Sequence, residues 1–325
     1  MDVLIEDRGD FDIMALKAFE YQANHVPIYS DFLRHLKVDW RSIAKVEDIP
    51  FLPISLFKTH RVIGRDAIEE IVFFSSGTTG MQQSRHFVQD LSIYNQSFQR
   101  GFEYFYGPAN QYVFIGLLPS YQEREGSSLI YMVDHFIAES PFDESGYYLN
   151  NLDELLGLLV DLENKKQPYI VLGVTYALLD LAERAKELKV QALPSGIIME
   201  TGGMKGRRKE MIKQEVHALL MEGLGVNTIH SEFGMTELLS QAYSKGKCVF
   251  SCPPWMQVKI REVNDPFTFV NEGLTGGLNV IDLANFYSCS FIATQDLGRM
   301  LGPNTFELLG RFDNSDIRGC NLLVY

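Results

Sequence analysis

The sequence predicts an α/β protein, with a mostly parallel sheet flanked by helices and a smaller β-rich subdomain after it. Two observations carry this reading. From Ile71 to His230, short apolar runs rich in β-branched and aromatic residues alternate with longer amphipathic stretches. Runs apolar on both faces belong to parallel strands covered by helices on each side. After Ser251 the texture changes to short strands separated by turn residues. At 325 residues, 46% apolar and 22% charged, the chain can bury one large core or two modest ones, which excludes a disordered or fibrous polymer.

The elements follow in order. Phe11, Met14, Ala15, Ala18 and Phe19 recur at helical spacing, Pro27 interrupts them, and a second periodic stretch runs from Tyr29 to Leu36. "EDIPFLPISLFKTHRVI" reads as extended chain, because it holds Pro50 and Pro53, alternates apolar residues and lacks a helical period. Strands are expected at Ile71–Phe74, Tyr112–Leu118, Tyr169–Val174, Gly196–Glu200 and Val226–His230, and amphipathic helices at Leu152–Asn164, Tyr176–Leu188 and Lys205–Leu220. "VKIREV", "GLTGGLNVIDL" and "SFIATQDLG" supply the later strands. The expected organisation is a core over 1–310, with a helical portion over 1–60 and the β-rich subdomain over 251–310, and a tail over 311–325.

Charge narrows the partners. A net charge of -13 repels phosphate backbones and anionic lipid, so no nucleic acid is expected as a partner. The local basic cluster Lys205, Arg207, Arg208 and Lys209 reads as a solvated helix face. The N-terminus is acidic where a signal peptide is basic, and no apolar stretch reaches the roughly 18 residues of a membrane span, so the expected location is cytoplasmic. Cys248, Cys252, Cys289 and Cys320 are too few for a disulfide scaffold.

One loop carries chemistry. Ser75, Ser76, Gly77, Thr78, Thr79 and Gly80 follow the apolar run Ile71–Phe74 directly. Glycines let backbone N–H groups turn toward a common centre, and the four hydroxyls add donors, so triphosphate oxygens can be held without side-chain charge. The loop lacks the Gly-Lys-Ser/Thr ending of a Walker motif.

Four more stretches follow in an order that resembles the adenylate-forming enzymes, the superfamily of acyl-CoA synthetases and related ligases. "ETGGMKG" holds Gly202 and Gly203, similar to the glycine pair that lies against adenine. "EFGMTE", Glu232 to Glu237, resembles an aromatic-Gly-x-Thr-Glu motif. The resemblance implies that Glu232, Phe233 and Gly234 lie at the nucleotide, with Phe233 stacked on adenine, Thr236 on phosphate and Glu237 on Mg²⁺. "TQDLG" offers Asp296 for the ribose hydroxyls, and "GRFDNSDIRG" resembles the hinge motif, with Arg311 near the ribose and Asp313 at the pivot. ATP and Mg²⁺ are therefore the implied cosubstrate and metal.

Within that superfamily the chain most resembles the acyl-protein synthetases of bacterial bioluminescence operons, the long-chain-fatty-acid luciferin-component ligases. "DIPFLPISLFK", "SSGTTGMQQSRH", "LLPSYQEREGSSLIYM", "ETGGMKGRRKE" and "IRGCNLL" carry the likeness. Gln82 and Gln83 stand where most acyl-CoA synthetases have Pro-Lys. The chain stops at Tyr325, so the separate lid domain and its catalytic lysine are expected to be absent, and His86 and Lys205 are the candidate replacement cations. The resemblance implies a fatty acid in an apolar tunnel beside Leu117–Phe136, with Ser127 and Ser128 at its entrance. It further implies passage of the acyl group to Cys320, and from there to a partner protein such as a fatty acyl reductase. A thiolate attacks an acyl adenylate readily, which gives this step its physical basis. Two rival readings share these motifs: an acyl- or aryl-CoA ligase of the phenylacetate type, and a non-catalytic nucleotide-binding subunit. The oligomeric state is left open.

Overall fold

The computed structural model describes residues 3–4, 8–76, 82–119, 126–203 and 211–312. The chain divides into two compact units, one of Met1–Ala67 with Pro254–Tyr325 and the other of Ile68–Pro253.

The first unit begins with α1 (Phe11–His25), which buries Phe11, Met14, Ala15, Ala18 and Phe19 as the spacing predicts. Pro27 opens α2 (Pro27–His35) at its first turn, where a missing N–H leaves no hydrogen bond unmade. The following segment departs from the extended chain expected. After the short strand β1 (Leu52–Pro53) it winds into a one-turn helix, α3 (Leu56–Thr59), started by the bond from Phe57 N to Ile54 O. Proline at the end of β1 removes a ladder donor and ends the strand.

The second unit opens on a hairpin of β2 (Ile71–Phe74) and β3 (Arg85–Val88), which form their own antiparallel sheet. This corrects the placing of Ile71–Phe74 in the parallel sheet. Phe73 is buried and Phe74 exposed, whereas His86, Phe87 and Val88 are all buried, and an apolar run of four cannot distinguish a parallel strand from one strand of such a hairpin. Next come α4 (Leu91–Tyr106), β4 (Val113–Leu117), α5 (Ser128–Glu139), β5 (Gly146–Tyr147), α6 (Leu152–Lys165), β6 (Tyr169–Val174), α7 (Thr175–Leu188), β7 (Ile197–Thr201), α8 (Lys213–Leu224) and β8 (His230–Phe233). β9 (Ala242–Ser244) and β10 (Val249–Ser251) complete the unit.

The strand order is β5-β4-β6-β7-β8, all parallel, continued by the antiparallel β9 and β10. Every residue of β4 and β6 is buried, as expected for strands with helices over both faces. Successive connections run in opposite directions from β4. Open sheets of this kind bind ligands outside the carboxyl ends of their strands. The last parallel strand starts four residues later than its apolar run suggests. Gly225 ends α8 in a left-handed conformation and residues 226–229 make the connection, which moves Ser231, Glu232 and Phe233 onto β8. Asp90 caps α4 by accepting from Ser92 N, and Ser127 caps α5 by accepting from Ile130 N. Ser128 is buried, its carbonyl accepting from Tyr94 Oη.

Returning to the first unit, β11 (Met256–Arg261), β12 (Thr275–Asp282), β13 (Phe291–Gly302) and β14 (Thr305–Arg311) form an antiparallel meander, and β1 pairs parallel to β13. Phe19, Tyr29, Phe51 and Phe291 pack ring against ring between α1, α2 and this sheet. Buried Gln22 on α1 donates to the carbonyls of Asn285 and Phe286 and to Ser290 Oγ, joining helix and meander through polar groups that would otherwise be orphaned. No helix among the described residues is long and apolar enough to cross a membrane.

Gly225→Ala tests the helix stop that sets the start of β8. Its φ is +65° and a Cβ would lie 2.6 Å from Ala192 Cα, so the substitution is expected to destabilise the protein by about 1–3 kcal/mol, read from urea denaturation.

Candidate functional site

In the second unit the expected residues gather where the parallel strands end. β7 runs out at Thr201 into Gly202 and Gly203, and β8 runs out at Phe233 into the turn Gly234–Glu237. The hairpin brings a third piece. Ser75 N donates to Ser84 O and Ser84 N to Ser75 Oγ, while Gln83 Nε2 donates to Ser75 O, so the ladder continues past β2 and β3 to the mouth of the loop. Two residues beyond Ser84, His86 Nδ1 lies 2.8 Å from the carbonyl of Thr236. A carbonyl can only accept, so Nδ1 carries the proton and the hairpin is tied to the turn that holds Thr236 and Glu237.

His86 is fully buried, and burial pushes its pKa down to about 4 against the opposing effect of the Thr236 bond. A neutral imidazole at this burial does not fit the expected catalytic cation. The structure corrects that role to positioning the loop.

Two glutamates on adjacent strands have opposite charge states. Glu200 on β7, 1% exposed, meets Lys213 Nζ in an ion pair, His217 Nε2 at 3.6 Å and Thr175 Oγ1 at 3.2 Å. Burial alone raises its pKa, but His217 and Lys213 outweigh it and hold the carboxylate at about 2. His217 moves the other way. Burial lowers it, yet Cys248 Sγ 3.6 Å from Nδ1 and Glu200 at the other ring nitrogen raise it to about 9. Glu232 on β8, 5% exposed, is pushed up to about 7 by burial and by the charge of Glu200, although Thr201 Oγ1 donates to its Oε2. Thr201 therefore joins the ends of β7 and β8, and Thr175 Oγ1 also reaches Gly202 O at 3.4 Å. Gly202 has φ +73°, a conformation that side chains resist, and a Cβ at Gly234 would collide with Glu232 Oε1.

Phe233 is buried and packs edge-on against Phe250 at 6.1 Å, so in this arrangement it is a core aromatic that offers little face for stacking. Glu237 is buried in the turn after β8. Among the described residues no group of three or more His, Cys, Asp or Glu could hold a metal ion. Cys248, Cys252 and Cys289 are buried and unpaired as disulfides. Gly77, Thr78, Thr79, Gly80, Lys205, Asp313 and Cys320 lie outside the described residues.

The first unit holds the remaining pair. Asp296 on β13 faces Arg311 on β14 in register, with Arg311 Nε 3.1 Å from Asp296 Oδ1. Burial raises the Asp296 pKa, and Arg311 and Arg261 pull it back.

Sequence reading passed over Glu200, Thr201, Lys213, His217 and Arg261. Glu200 and Thr201 stand inside the "ETGG" stretch quoted for its glycines, and a charged residue at the end of an apolar strand was the available signal. Lys213, His217 and Arg261 carry no local pattern; only packing brings them to their partners.

A family model described as acyl-protein synthetase, LuxE, matches residues 7–325. No curated protein sequence matches the chain. Among solved structures, 2-hydroxyisobutyryl-CoA ligase in an open conformation with 2-HIB-AMP and CoA is similar over 93% of this chain and 69% of its own, with TM-score 0.64 and 14% identity. The same ligase in the postadenylation state with R3-HIB-AMP gives TM-score 0.66 at 13% identity over 93% and 67%. An ATP-bound RpMatB-BxBclM chimera gives 0.51 at 14% identity over 74% and 47%. At these identities the likeness is one of fold, and the chain spans about two thirds of the ligase and under half of the chimera.

Two variants test the buried charges. Glu200→Gln leaves Lys213 and His217 without their carboxylate and is expected to cost about 3–5 kcal/mol in urea denaturation at neutral pH. Glu232 has a folded pKa of about 7 against an ordinary 4.5, so the folded state binds the extra proton between those values. Its contribution is complete below pH 4.5 and lost as pH rises through 7. Across that window Glu232 is expected to withdraw on the order of 3 kcal/mol while buried His86 and His230, both lowered to about 4, act in the opposite direction, so Glu232→Gln is expected to make stability rise more steeply from pH 4.5 to 7 than in the wild type.

Proposed function

The chain belongs to the LuxE acyl-protein synthetase family and is an ATP-dependent acid ligase; we propose that it activates a fatty acid as acyl-AMP and passes the acyl group through Cys320 to a partner protein such as a fatty acyl reductase. The observation that supports the reading is the tie from His86 to Thr236, which joins the β2–β3 hairpin to the turn bearing Glu237.

In the first step a carboxylate oxygen of the acid attacks the α-phosphorus of ATP. The new O–P bond forms as the bond to the bridging oxygen breaks, and pyrophosphate leaves. Ser75, Ser76 and the loop they open would hold the triphosphate through hydroxyl and backbone donors, an anion cradle that needs no lysine. Mg²⁺ bound at Glu237 would supply positive charge to the phosphate oxygens. Gly202 and Gly203 would lie against adenine, and a Cβ at Gly203 would meet nothing within 4 Å. In the second step the Cys320 thiolate attacks the acyl carbon, AMP leaves with the bonding pair, and the thioester then yields the acyl group to the acceptor. We place these steps in the cytoplasm, where a thiol such as Cys320 stays reduced.

Pyrophosphate exchange over a panel of labelled carboxylates, with hydroxylamine-labile label on the protein as second readout, checks both steps. Exchange is expected with fatty acids, and Glu237→Gln is expected to slow it by at least about a hundredfold. Cys320→Ser is expected to retain exchange and lose the label. Exchange with no acid overturns the activity, label persisting in the Cys320 variant overturns the thioester, and discharge by free coenzyme A in that variant supports a CoA ligase instead.

A further inference from the structure

Arg261 has no part in the site as described, yet it is anchored by three hydrogen bonds. It closes β11 and sends its guanidinium across the meander: Nη1 donates to Leu278 O at 2.9 Å and to Asn279 Oδ1 at 2.6 Å, and Nη2 to Thr294 O at 2.7 Å. Its Cζ lies 5.5 Å from the centroid of the Phe312 ring. Gly277 makes the crossing possible, because a Cβ there would sit 2.5 Å from Arg261 Cζ. A register shift in the β12–β13 ladder falls at the same place, between Gly277 and Asn279.

All three acceptors are neutral, so these bonds hold the guanidinium without quenching its charge. The carboxylate that feels that charge is Asp296. The same bracket shapes the backbone of Asp296: Thr294, whose carbonyl Arg261 grips, donates its hydroxyl to Leu278 O at 2.8 Å and accepts from Asp296 N at 3.1 Å. Asp296 thus has two cations of different kinds. Arg311 bonds it directly, but its side chain is 78% exposed and free to engage a ligand. Arg261 is fixed inside by three bonds.

We propose that Arg261 is a positioning residue, the fixed cation that braces the strand at Thr294 and keeps Asp296 aimed at a vicinal diol when Arg311 turns to the ligand. The inference rests on the reading of Asp296 as the acceptor of ribose hydroxyls. A protonated carboxyl turns one oxygen into a donor and accepts more weakly than a carboxylate, so a counter-charge strengthens a buried aspartate as the acceptor of both hydroxyls of a diol.

Direct binding of ATP and of 2′,3′-dideoxy-ATP to the full chain, in the presence of Mg²⁺, tests this. Arg261→Met is expected to weaken ATP by about tenfold or more while leaving dideoxy-ATP within about twofold, because only the sugar hydroxyls report on Asp296. Gly277→Ala, which crowds the guanidinium without removing its charge, is expected to act in the same direction. Arg261→Lys, which keeps the charge and loses the fork, is expected to restore part of the discrimination. Equal weakening of both nucleotides in Arg261→Met and Gly277→Ala, or no change in either, overturns the proposal. Asp296→Asn is the reference: if it leaves discrimination intact, the ribose reading of Asp296 itself falls, a failure distinct from that of Arg261.

Discussion

A full negative charge with almost no access to water, the carboxylate of Glu200, constrains everything around the ends of the parallel strands. Isolated, such a group would take up a proton or unfold its surroundings. Here Lys213 and His217 reach it from α8 and Thr175 from the start of α7. Meeting those contacts fixes where α8 begins relative to β7 and holds the carbonyl of Gly202, so the glycine turn gains its geometry from an ion pair behind it.

Charge then separates across neighbouring strands. Glu200 has its cations, whereas Glu232 has Thr201 and the repulsion of Glu200, so one stays ionised far below neutrality and the other holds a proton near it. The neutral carboxyl can occupy the space over Gly234 without adding a second buried charge. Cations deep in the fold thus serve position: Lys213 and His217 brace the glycine turn, and Arg261, in the other unit, braces a strand through neutral acceptors. His86 extends the principle with no charge at all, its neutral ring donating one directional bond across 150 residues of sequence.

Much of the fold is legible in local pattern. Helical spacing located α1 and α2, and the doubly apolar runs located β4 and β6, because burial on one stripe or both faces leaves a periodic mark. The hairpin at Ile71 escaped for lack of length, since four apolar residues fit a parallel strand as well as one strand of a hairpin. β8 slipped by four residues because a left-handed glycine, Gly225, ends the preceding helix and its connection is itself apolar.

The sequence by itself determined the elements and the order of the nucleotide motifs from Ser75 to Arg311, because those depend on residue type and spacing along the chain. Tertiary structure alone decided which of the charged residues bear charge, and what they hold in place. His86 is held neutral with its pKa lowered to about 4, Glu232 is pushed up to about 7 and Glu200 is held at about 2. Desolvation and ion pairing are sums over neighbours in space, and for these side chains the decisive neighbours come from elements far apart in sequence.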